Sequence, residues 1–350
     1  MTAFEQRINE FRRIWFNESP TLSIRTSGST GTPKTITVKK AQMAASARRT
    51  CRTLGVQRGD TTLLCMPVDY IAGRMVCVRA WECGLRLIAV KPTLHPLATL
   101  ETAPSFCAMT PAQVYETLRV PHEANLLRAV RVLLIGGGSV PPSLAEALKD
   151  FTGAWSTYGM TETLSHIALR PLGTQEYRKN GATDRYLPLP DVTVRPDERG
   201  CLVVTDPMTG VQDLVTNDLA EVFPDRSFRI LGRVDNTIVS GGLKWQTEEL
   251  ERLLANLPVP FRITAVPDKR LGEAIVLLYT DNGIEDHSET EHSKHSPTPS
   301  FTEVIRKTCQ QKLPKHAIPR HIFRVADLPQ TLTGKPDRAA LRRLATSLLT

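Results

Sequence analysis

The chain has 350 residues, 41% of them hydrophobic and 23% charged, with a formal net charge of +8. That length and balance describe a globular protein with room for two or three domains, and no apolar run approaches the roughly 18 residues a bilayer span requires. The positive excess attracts polyanions, but no basic block is interleaved with aromatics and no helix-turn-helix or zinc-finger spacing occurs. A small polyanionic molecule is therefore the expected partner, and nucleic acid is not.

The first element, "MTAFEQRINEFRRIWF", mixes charged and apolar residues at helical spacing and lacks the apolar block of a signal peptide, so a cytoplasmic protein is expected. "RTSGSTGTPKTITVKK" at 25–40 joins a glycine- and hydroxyl-rich loop to alternating β-branched residues that read as a strand. Pro33 stands where a Walker A loop would need glycine before its lysine. The loop can still bind phosphate through small residues that expose backbone N–H groups, through its hydroxyls and through Lys34.

Strand-like runs "TTLLCMPV", "LRLIAVKP", "SFCAMTP" and "VRVLLIGGG" then alternate with helical stretches such as "QMAASARRTCRTLG" and "PPSLAEALKDF". This rhythm predicts an α/β fold with a parallel sheet flanked by helices. Gly136, Gly137 and Gly138 lie between a strand end and a proline-initiated helix, where open α/β sheets usually meet their ligands. "CLVVTDP" and "SFRILGRVDNTIVSGG" predict a smaller β-rich region. After it comes a compact α+β module with strands "RITAVPD" and "EAIVLLYT" and helix "TEELERLLANL". The expected division is a large domain over 1–231 and a small one over 232–350. Within the latter, 281–300 is polar, rich in Ser, Thr and His, and expected to be disordered.

Seven cysteines, odd in number and without C-x-x-C spacing, predict buried free thiols, with neither disulfides nor a zinc site. In the apolar stretch "MPVDYIAGRMVCVRAWECG" at 66–84, Arg74 and Arg79 are costly unless they meet an anion or reach the surface. Tyr158 offers an aromatic face for a base but also fits a core. Thr161 can bond an anionic oxygen or cap a helix, and Glu162 can hold a hard Mg²⁺ together with phosphates.

Taken in order, these motifs resemble the adenylate-forming (AMP-binding) superfamily. The resemblance rests on "TSGSTGTPK" at 26–34, "STYGMTET" at 156–163, "TNDLA" at 216–220, "LGRVDNTIVSGGLKWQTEELE" at 231–251 and "PQTLTGKPDR" at 329–338. It implies a large α/β domain and a small, mobile C-terminal domain that rotates about Asp235. It also implies an AMP-forming acid–thiol ligase using ATP, Mg²⁺ and coenzyme A. Thr26, Ser27, Gly28, Ser29, Thr30, Gly31 and Lys34 would hold phosphates; Gly137, Gly138, Tyr158 and Gly159 the adenine side; Asp218 and Arg233 the ribose. Asn217 replaces the family's usual glycine, an exchange expected to adjust the loop and keep the carboxylate. Thr161, Glu162 and Lys335 would serve catalysis, Glu162 as the metal ligand, and Gly241 and Gly242 would admit a thiol-bearing arm. No side-chain nucleophile is required.

The acyl side would take Tyr70, Arg79, Ser165 and His166, with a helix histidine equally open for the last. The short front end and the "YGMTETLSHIALR" segment are similar to the family's ligases for o-succinylbenzoate in menaquinone biosynthesis. An aromatic dicarboxylate would give Arg79 its anion. An enzyme loading an aryl acid onto a carrier protein and a non-catalytic nucleotide-binding module are the alternatives, and a homodimer is compatible with either.

Overall fold

The computed structural model describes residues 2–25, 35–173, 184–281, 300–331 and 335–349. The expected phosphate loop at 26–34 and the interior of the polar run, 282–299, lie outside the described residues. Helix α1 (Ala3–Phe16) is followed by β1 (Thr21–Arg25) and β2 (Thr35–Lys39) and then α2 (Lys40–Thr53). The two strands pair antiparallel with Arg25 opposite Thr35, so the phosphate-loop sequence connects neighbouring strands.

There follow β3 (Thr61–Leu64), α3 (Ile71–Cys83), β4 (Arg86–Ala89), β5 (Phe106–Met109), α4 (Pro111–Arg119), α5 (Pro121–Ala129), β6 (Val132–Ile135), α6 (Pro142–Ala147), β7 (Ala154–Gly159), β8 (His166–Pro171) and β9 (Leu187–Pro188). Their strands form a seven-stranded sheet in the order β4-β3-β5-β6-β7-β8-β9. Alternation along the strands divides the core between the two faces. Leu64 packs with Met43, Met75 and Val76 of α2 and α3, whereas Leu63, Cys65, Cys107 and Met109 pack with Val114, Leu127 and Leu144 of α4 to α6. Central β6 is buried at all four residues, which is why it reads as an unbroken apolar run. The four runs read as parallel strands, β3 to β6, pair parallel as expected, β7 continues parallel to β6, and β8 and β9 add antiparallel at the edge.

The β-rich region is a four-stranded sheet of β10 (Thr193–Pro196), β11 (Cys201–Asp206), β12 (Val211–Val222) and β13 (Phe228–Arg233). The last module contains β14 (Thr237–Ser240), β15 (Leu243–Gln246), α7 (Thr247–Leu253), β16 (Phe261–Asp268), β17 (Gly272–Tyr279), α8 (Phe301–Lys312), β18 (His321–Arg324) and α9 (Arg338–Ser347). Its sheet buries Ile263, Ile275 and Leu277 beneath α7 and α8, and Val276 and Leu278 beneath α9. At the ends of the run expected to be disordered, Asp281 is buried and paired with Arg324, and Ser300 caps α8 in a reciprocal capping box with Glu303. Contacts divide the chain into two compact units. One is Met1–Thr216 with Glu221–Arg229, and the other is Asn217–Ala220 with Ile230–Thr350.

None of the seven cysteines is in a disulfide, six are buried, and no cluster of three or more His, Cys, Asp or Glu suited to a metal occurs among the described residues. Burial pushes the Cys65 and Cys77 thiols up to about 12, which leaves them inert at neutral pH. No helix among the described residues is long and apolar enough to cross a membrane.

Within the first unit, Arg49 of α2 reaches the end of β11. Its Nη1 and Nη2 donate to the two oxygens of Asp206 at 2.8 and 2.6 Å, with both side chains almost wholly buried. Truncating one member of such a pair strands a desolvated charge and costs about 3–5 kcal/mol. Asp206→Ala should therefore lower the urea midpoint by that equivalent without altering the slope of the unfolding curve, a loss far beyond that of a surface ion pair.

Candidate functional site

The first unit assembles its candidate residues around the turn between β7 and β8. Gly159 ends β7 at a register shift, and a Cβ there would sit 2.4 Å from the Ser165 carbonyl oxygen and 2.6 Å from the His166 Cα. Glycine is thus required by the close return of the chain. Thr163 pins the turn: its hydroxyl accepts from the Met160 N–H at 3.0 Å and lies 2.7 Å from the Ser165 carbonyl oxygen. Leu164 takes a positive φ of 65° with its side chain buried in the core. Thr161 and Glu162 project from this turn. No helix starts there, so the helix-cap alternative for Thr161 does not hold; Thr161 is half-buried and Glu162 exposed. An exposed carboxylate beside a hydroxyl is an oxygen donor set suited to Mg²⁺, which normally takes one or two carboxylates and completes its shell with phosphate and water.

Tyr158 is half-buried. Its ring meets Phe228 edge-on at 5.2 Å and Tyr186 at 5.8 Å, while Tyr186 and Phe228 stack at 5.6 Å. The Tyr186 hydroxyl lies 3.0 Å from the Ser156 hydroxyl, and Arg170 stands over the Tyr186 ring at 5.4 Å. Tyr186 and Phe228 gave no signal in the sequence, because they reach Tyr158 through an isolated antiparallel bridge between distant segments. Beside β7, a Cβ on Gly136 would collide with the Thr157 hydroxyl at 2.5 Å, whereas Gly137 is favoured by its backbone, at φ 81°.

Helix α3 separates the two arginines of the apolar stretch. Arg74 lies over the Phe11 ring at 5.0 Å and donates to the carbonyls of Val68 at 2.9 Å and Ser23 at 2.6 Å, a structural role. Tyr70 is the N-cap of α3, half-buried, with its carbonyl accepting from the Arg74 N–H at 3.2 Å. Gly73 lets α3 press on the preceding turn, since a Cβ there would meet the Pro67 carbonyl oxygen at 2.3 Å.

Arg79 is 3% exposed. It has no ion pair among the described residues: Nη2 donates to the Ser165 hydroxyl at 2.6 Å, and the buried Nε has no partner. Burial pulls its pKa down to about 10, which still leaves it charged at neutral pH. His166 is the first residue of β8, so the helix-histidine alternative is corrected to a strand position facing α2 and α3. Its Nε2 lies 3.3 Å from the Thr50 hydroxyl and its Nδ1 3.4 Å from that of Ser165. Burial first, and then the charges of Arg79 and Arg49, hold its pKa well below the usual histidine value.

The second unit carries a separate constellation. Arg233 donates from Nη1 to Asp218 at 2.9 Å and from Nη2 to Asp235 at 2.7 Å. Asn217 donates its amide to both Asp235 oxygens at 3.1 and 3.3 Å. The residue that replaces glycine therefore binds the candidate hinge carboxylate and leaves Asp218 in place. Burial works against the Arg233 charge, but Asp235 and Asp218 more than reverse this and raise its pKa.

Lys335 is exposed as a residue and held by a short bridge: the Thr331 N–H donates to its carbonyl at 2.7 Å, and its own N–H donates to the Thr331 hydroxyl at 3.2 Å. Partial desolvation of its ammonium lowers its pKa, with Asp218 opposing and Arg233 adding to the fall. Gly241 and Gly242, at φ 59° and 79°, form the two-residue turn joining β14 to β15, so positive φ by itself accounts for both. A Cβ on Gly242 would meet nothing within 4 Å.

The sequence profile of AMP-binding enzymes matches residues 13–210, and that of the AMP-binding enzyme C-terminal domain matches residues 250–335. Over 352 residues the chain is 25% identical to a 2-succinylbenzoate–CoA ligase of Bacillus mycoides, covering 92% of this chain and 69% of that relative. Among solved structures it is similar to an acyl-CoA synthetase (AMP-forming)/AMP-acid ligase II-like protein of Dyadobacter fermentans, at 32% identity and TM-score 0.62, over 97% of this chain and 94% of the other. It also shares its fold with the o-succinylbenzoate CoA synthetase of Bacillus subtilis in complex with its acyl-adenylate intermediate, at 21% identity and TM-score 0.73, over 91% and 68% of the two chains.

Because His166 resists protonation in the fold, the unfolded chain binds the additional proton once the pH falls below the ordinary histidine value of 6.5. The stability it contributes is complete above that value and declines below it, by up to about 1.4 kcal/mol per pH unit. His166→Asn should flatten the dependence of stability on pH between about 6.5 and 5. Urea midpoints across that range measure it, and slopes identical to wild type would mean that His166 takes up its proton in the native protein.

Proposed function

Since the chain belongs to the AMP-binding enzyme family, as an AMP-forming acyl-CoA synthetase, we propose that it joins o-succinylbenzoate to coenzyme A in the cytoplasm, through an acyl-adenylate. One oxygen of the acid attacks the α-phosphorus of ATP, the bond to the β-phosphate bridging oxygen breaks, and pyrophosphate leaves. The deprotonated thiol of coenzyme A then attacks the acyl carbon, and AMP departs with the electron pair of the carbon–oxygen bond.

The division of labour follows the chemistry of each group. The adenine stacks on Tyr158 beside the glycines at 136–138, and Asp218, oriented by Arg233, accepts from the ribose hydroxyls. Thr161 donates to the phosphate, and Glu162 holds the Mg²⁺ that offsets phosphate charge. Lys335, whose partly desolvated ammonium would be stabilised by an approaching anion, offsets the charge of the carboxylate and α-phosphate as they meet. The second unit turns about Asp235 between the half-reactions, and the β14–β15 turn with Gly241 and Gly242 then faces the thiol-bearing arm.

The single observation behind the choice of acid is Arg79: a buried, charged guanidinium that among the described residues meets a hydroxyl and the Phe106 ring, at 5.9 Å, but no carboxylate. Desolvating such a charge is costly unless an anion completes it, and a substrate with a second carboxylate does so. The Bacillus relatives carrying the 2-succinylbenzoate–CoA ligase name support the same acid.

Purified protein given o-succinylbenzoate, ATP, Mg²⁺ and coenzyme A should release pyrophosphate and form the thioester. Acyl transfer only to a carrier-protein phosphopantetheine would overturn the coenzyme A assignment. Lys335→Ala should abolish pyrophosphate release yet leave thioester formation from preformed acyl-adenylate largely intact; equal loss of both would contradict a role confined to the first step. Arg79→Met removes a charge that meets no carboxylate among the described residues, so it should leave the melting temperature unchanged or raise it. The same variant should raise the KM for o-succinylbenzoate by about 10–100-fold. The KM for 3-benzoylpropanoate, which lacks the ring carboxylate, should stay level, and an equal change for both acids would remove Arg79 from substrate recognition.

A further inference from the structure

Arg79, Ser165, His166, Thr50 and Ser46 form one continuous line of hydrogen bonds through the layer between α2, α3 and β8. The Arg79 Nη2 lies 2.6 Å from the Ser165 Oγ, which lies 3.4 Å from the His166 Nδ1. The His166 Nε2 lies 3.3 Å from the Thr50 Oγ1, which lies 3.1 Å from the Ser46 carbonyl oxygen.

The two ends fix the direction of the line. A guanidinium can only donate and a carbonyl can only accept. With the Thr50 proton on the Ser46 carbonyl, His166 donates from Nε2 to Thr50, Ser165 donates to the bare His166 Nδ1, and Arg79 donates to Ser165. All four contacts are then satisfied. The opposite tautomer has His166 donating from Nδ1 to Ser165 and Thr50 donating to Nε2. That arrangement leaves the Ser165 proton and the Ser46 contact unmatched, so only three bonds form. In buried surroundings an unmade hydrogen bond costs about 1–3 kcal/mol, enough to select the first arrangement.

We propose that His166 is a positioning residue for substrate recognition: as the neutral Nε2–H tautomer it turns the Ser165 lone pairs toward Arg79 and holds the guanidinium ready for a carboxylate. The inference rests on the assignment of Arg79 to the second carboxylate of the acid. Its logic is that Arg79 must be oriented without being neutralised. A protein carboxylate would hold the guanidinium just as firmly but would consume the charge that the substrate needs. A hydroxyl backed by a neutral imidazole supplies orientation and leaves the charge unneutralised, with the buried Nε unpaired. An imidazolium would present an N–H to Ser165, turn its hydroxyl and place a further positive charge beside Arg79 and Arg49.

The tautomer is read without substrate, from the ring nitrogen shifts of ¹⁵N-labelled protein at pH 7. The expected state is neutral with the proton on Nε2. Arg79→Met, which frees the Ser165 hydroxyl, should shift the Nδ1 resonance. A proton on Nδ1, an imidazolium, or an Nδ1 shift unmoved by Arg79→Met would overturn the proposal, whatever acid the enzyme accepts. In kinetics, His166→Leu should raise the KM for o-succinylbenzoate about tenfold while that for 3-benzoylpropanoate moves less than about twofold. His166→Asn, whose Oδ1 replaces Nδ1 as acceptor from Ser165, should recover most of the loss. Equal KM changes for the two acids, or no recovery by Asn, would leave His166 a packing residue. Absence of any preference for the dicarboxylate in wild-type enzyme would instead sink the choice of acid, and the tautomer measurement would still decide whether the line of bonds is directed.

Discussion

A guanidinium taken out of water must be answered by an anion or by enough dipoles to replace its hydration, and this requirement organises the first unit. Two arginines are buried in the layer between α2, α3 and β8, and both lower the pKa of the same histidine. Asp206 answers Arg49 with two short charge-assisted bonds and thereby fixes α2 against the β-rich sheet. With α2 fixed, Thr50, the residue after Arg49, is held against His166. Arg79 is left with a hydroxyl and the Phe106 ring. The first arginine holds the scaffold, and the second keeps its charge.

The rest of the site follows from where the chain can afford to have no side chain. Gly159 lets Ser165 and His166 return within touching distance of β7, and Gly73 lets α3 settle on Pro67. Any larger residue at either position would push the His166 strand or the Arg79 helix outward. A hydrogen-bond line with contacts of 2.6 to 3.4 Å tolerates little such displacement. Glycines of the "YGMTET" and "IAGRM" stretches therefore act at one remove: they set the spacing in which longer side chains meet.

How much of this was legible in the sequence depends on whether the relevant partners are near in the chain. The strands "TTLLCMPV" and "VRVLLIGGG", the helix "PPSLAEALKDF" and the final module all stand where periodicity and turn signals put them, because local pattern and burial agree. β8 and β9 were not read as strands: the first follows directly on the "YGMTET" motif with no turn signal that sets it apart, and the second is only two residues long. Arg79 stood out as a charge among apolar neighbours, yet Arg74, five residues earlier, looked the same and turned out to serve the backbone. What separates them is which side of α3 each occupies and what lies opposite, and those opposing residues come from elsewhere in the chain. Asp206, for the same reason, gave no sign of its link to Arg49, which lies 157 residues away.

The second unit shows the opposite economy, with short-range pairs forming a chain of carboxylates and cations. Asn217 stands where the resemblance drawn from the sequence implies a glycine, and the exchange would be damaging if that position needed a positive φ or an empty space. Neither is the case: Asn217 is not among the residues with positive φ, and its side chain is used, donating to Asp235. Asp235 in turn accepts from Arg233, and Arg233 holds Asp218. An amide suits this place because it donates to Asp235 without adding charge to a network of two carboxylates and one guanidinium, whereas an aspartate would repel both carboxylates. Asn217 and Asp235 belong to the two stretches at which the chain passes from one compact unit to the other, after Thr216 and after Arg229. The hydrogen bond between them ties the segment that follows Thr216 to the one that follows Arg229 within the second unit.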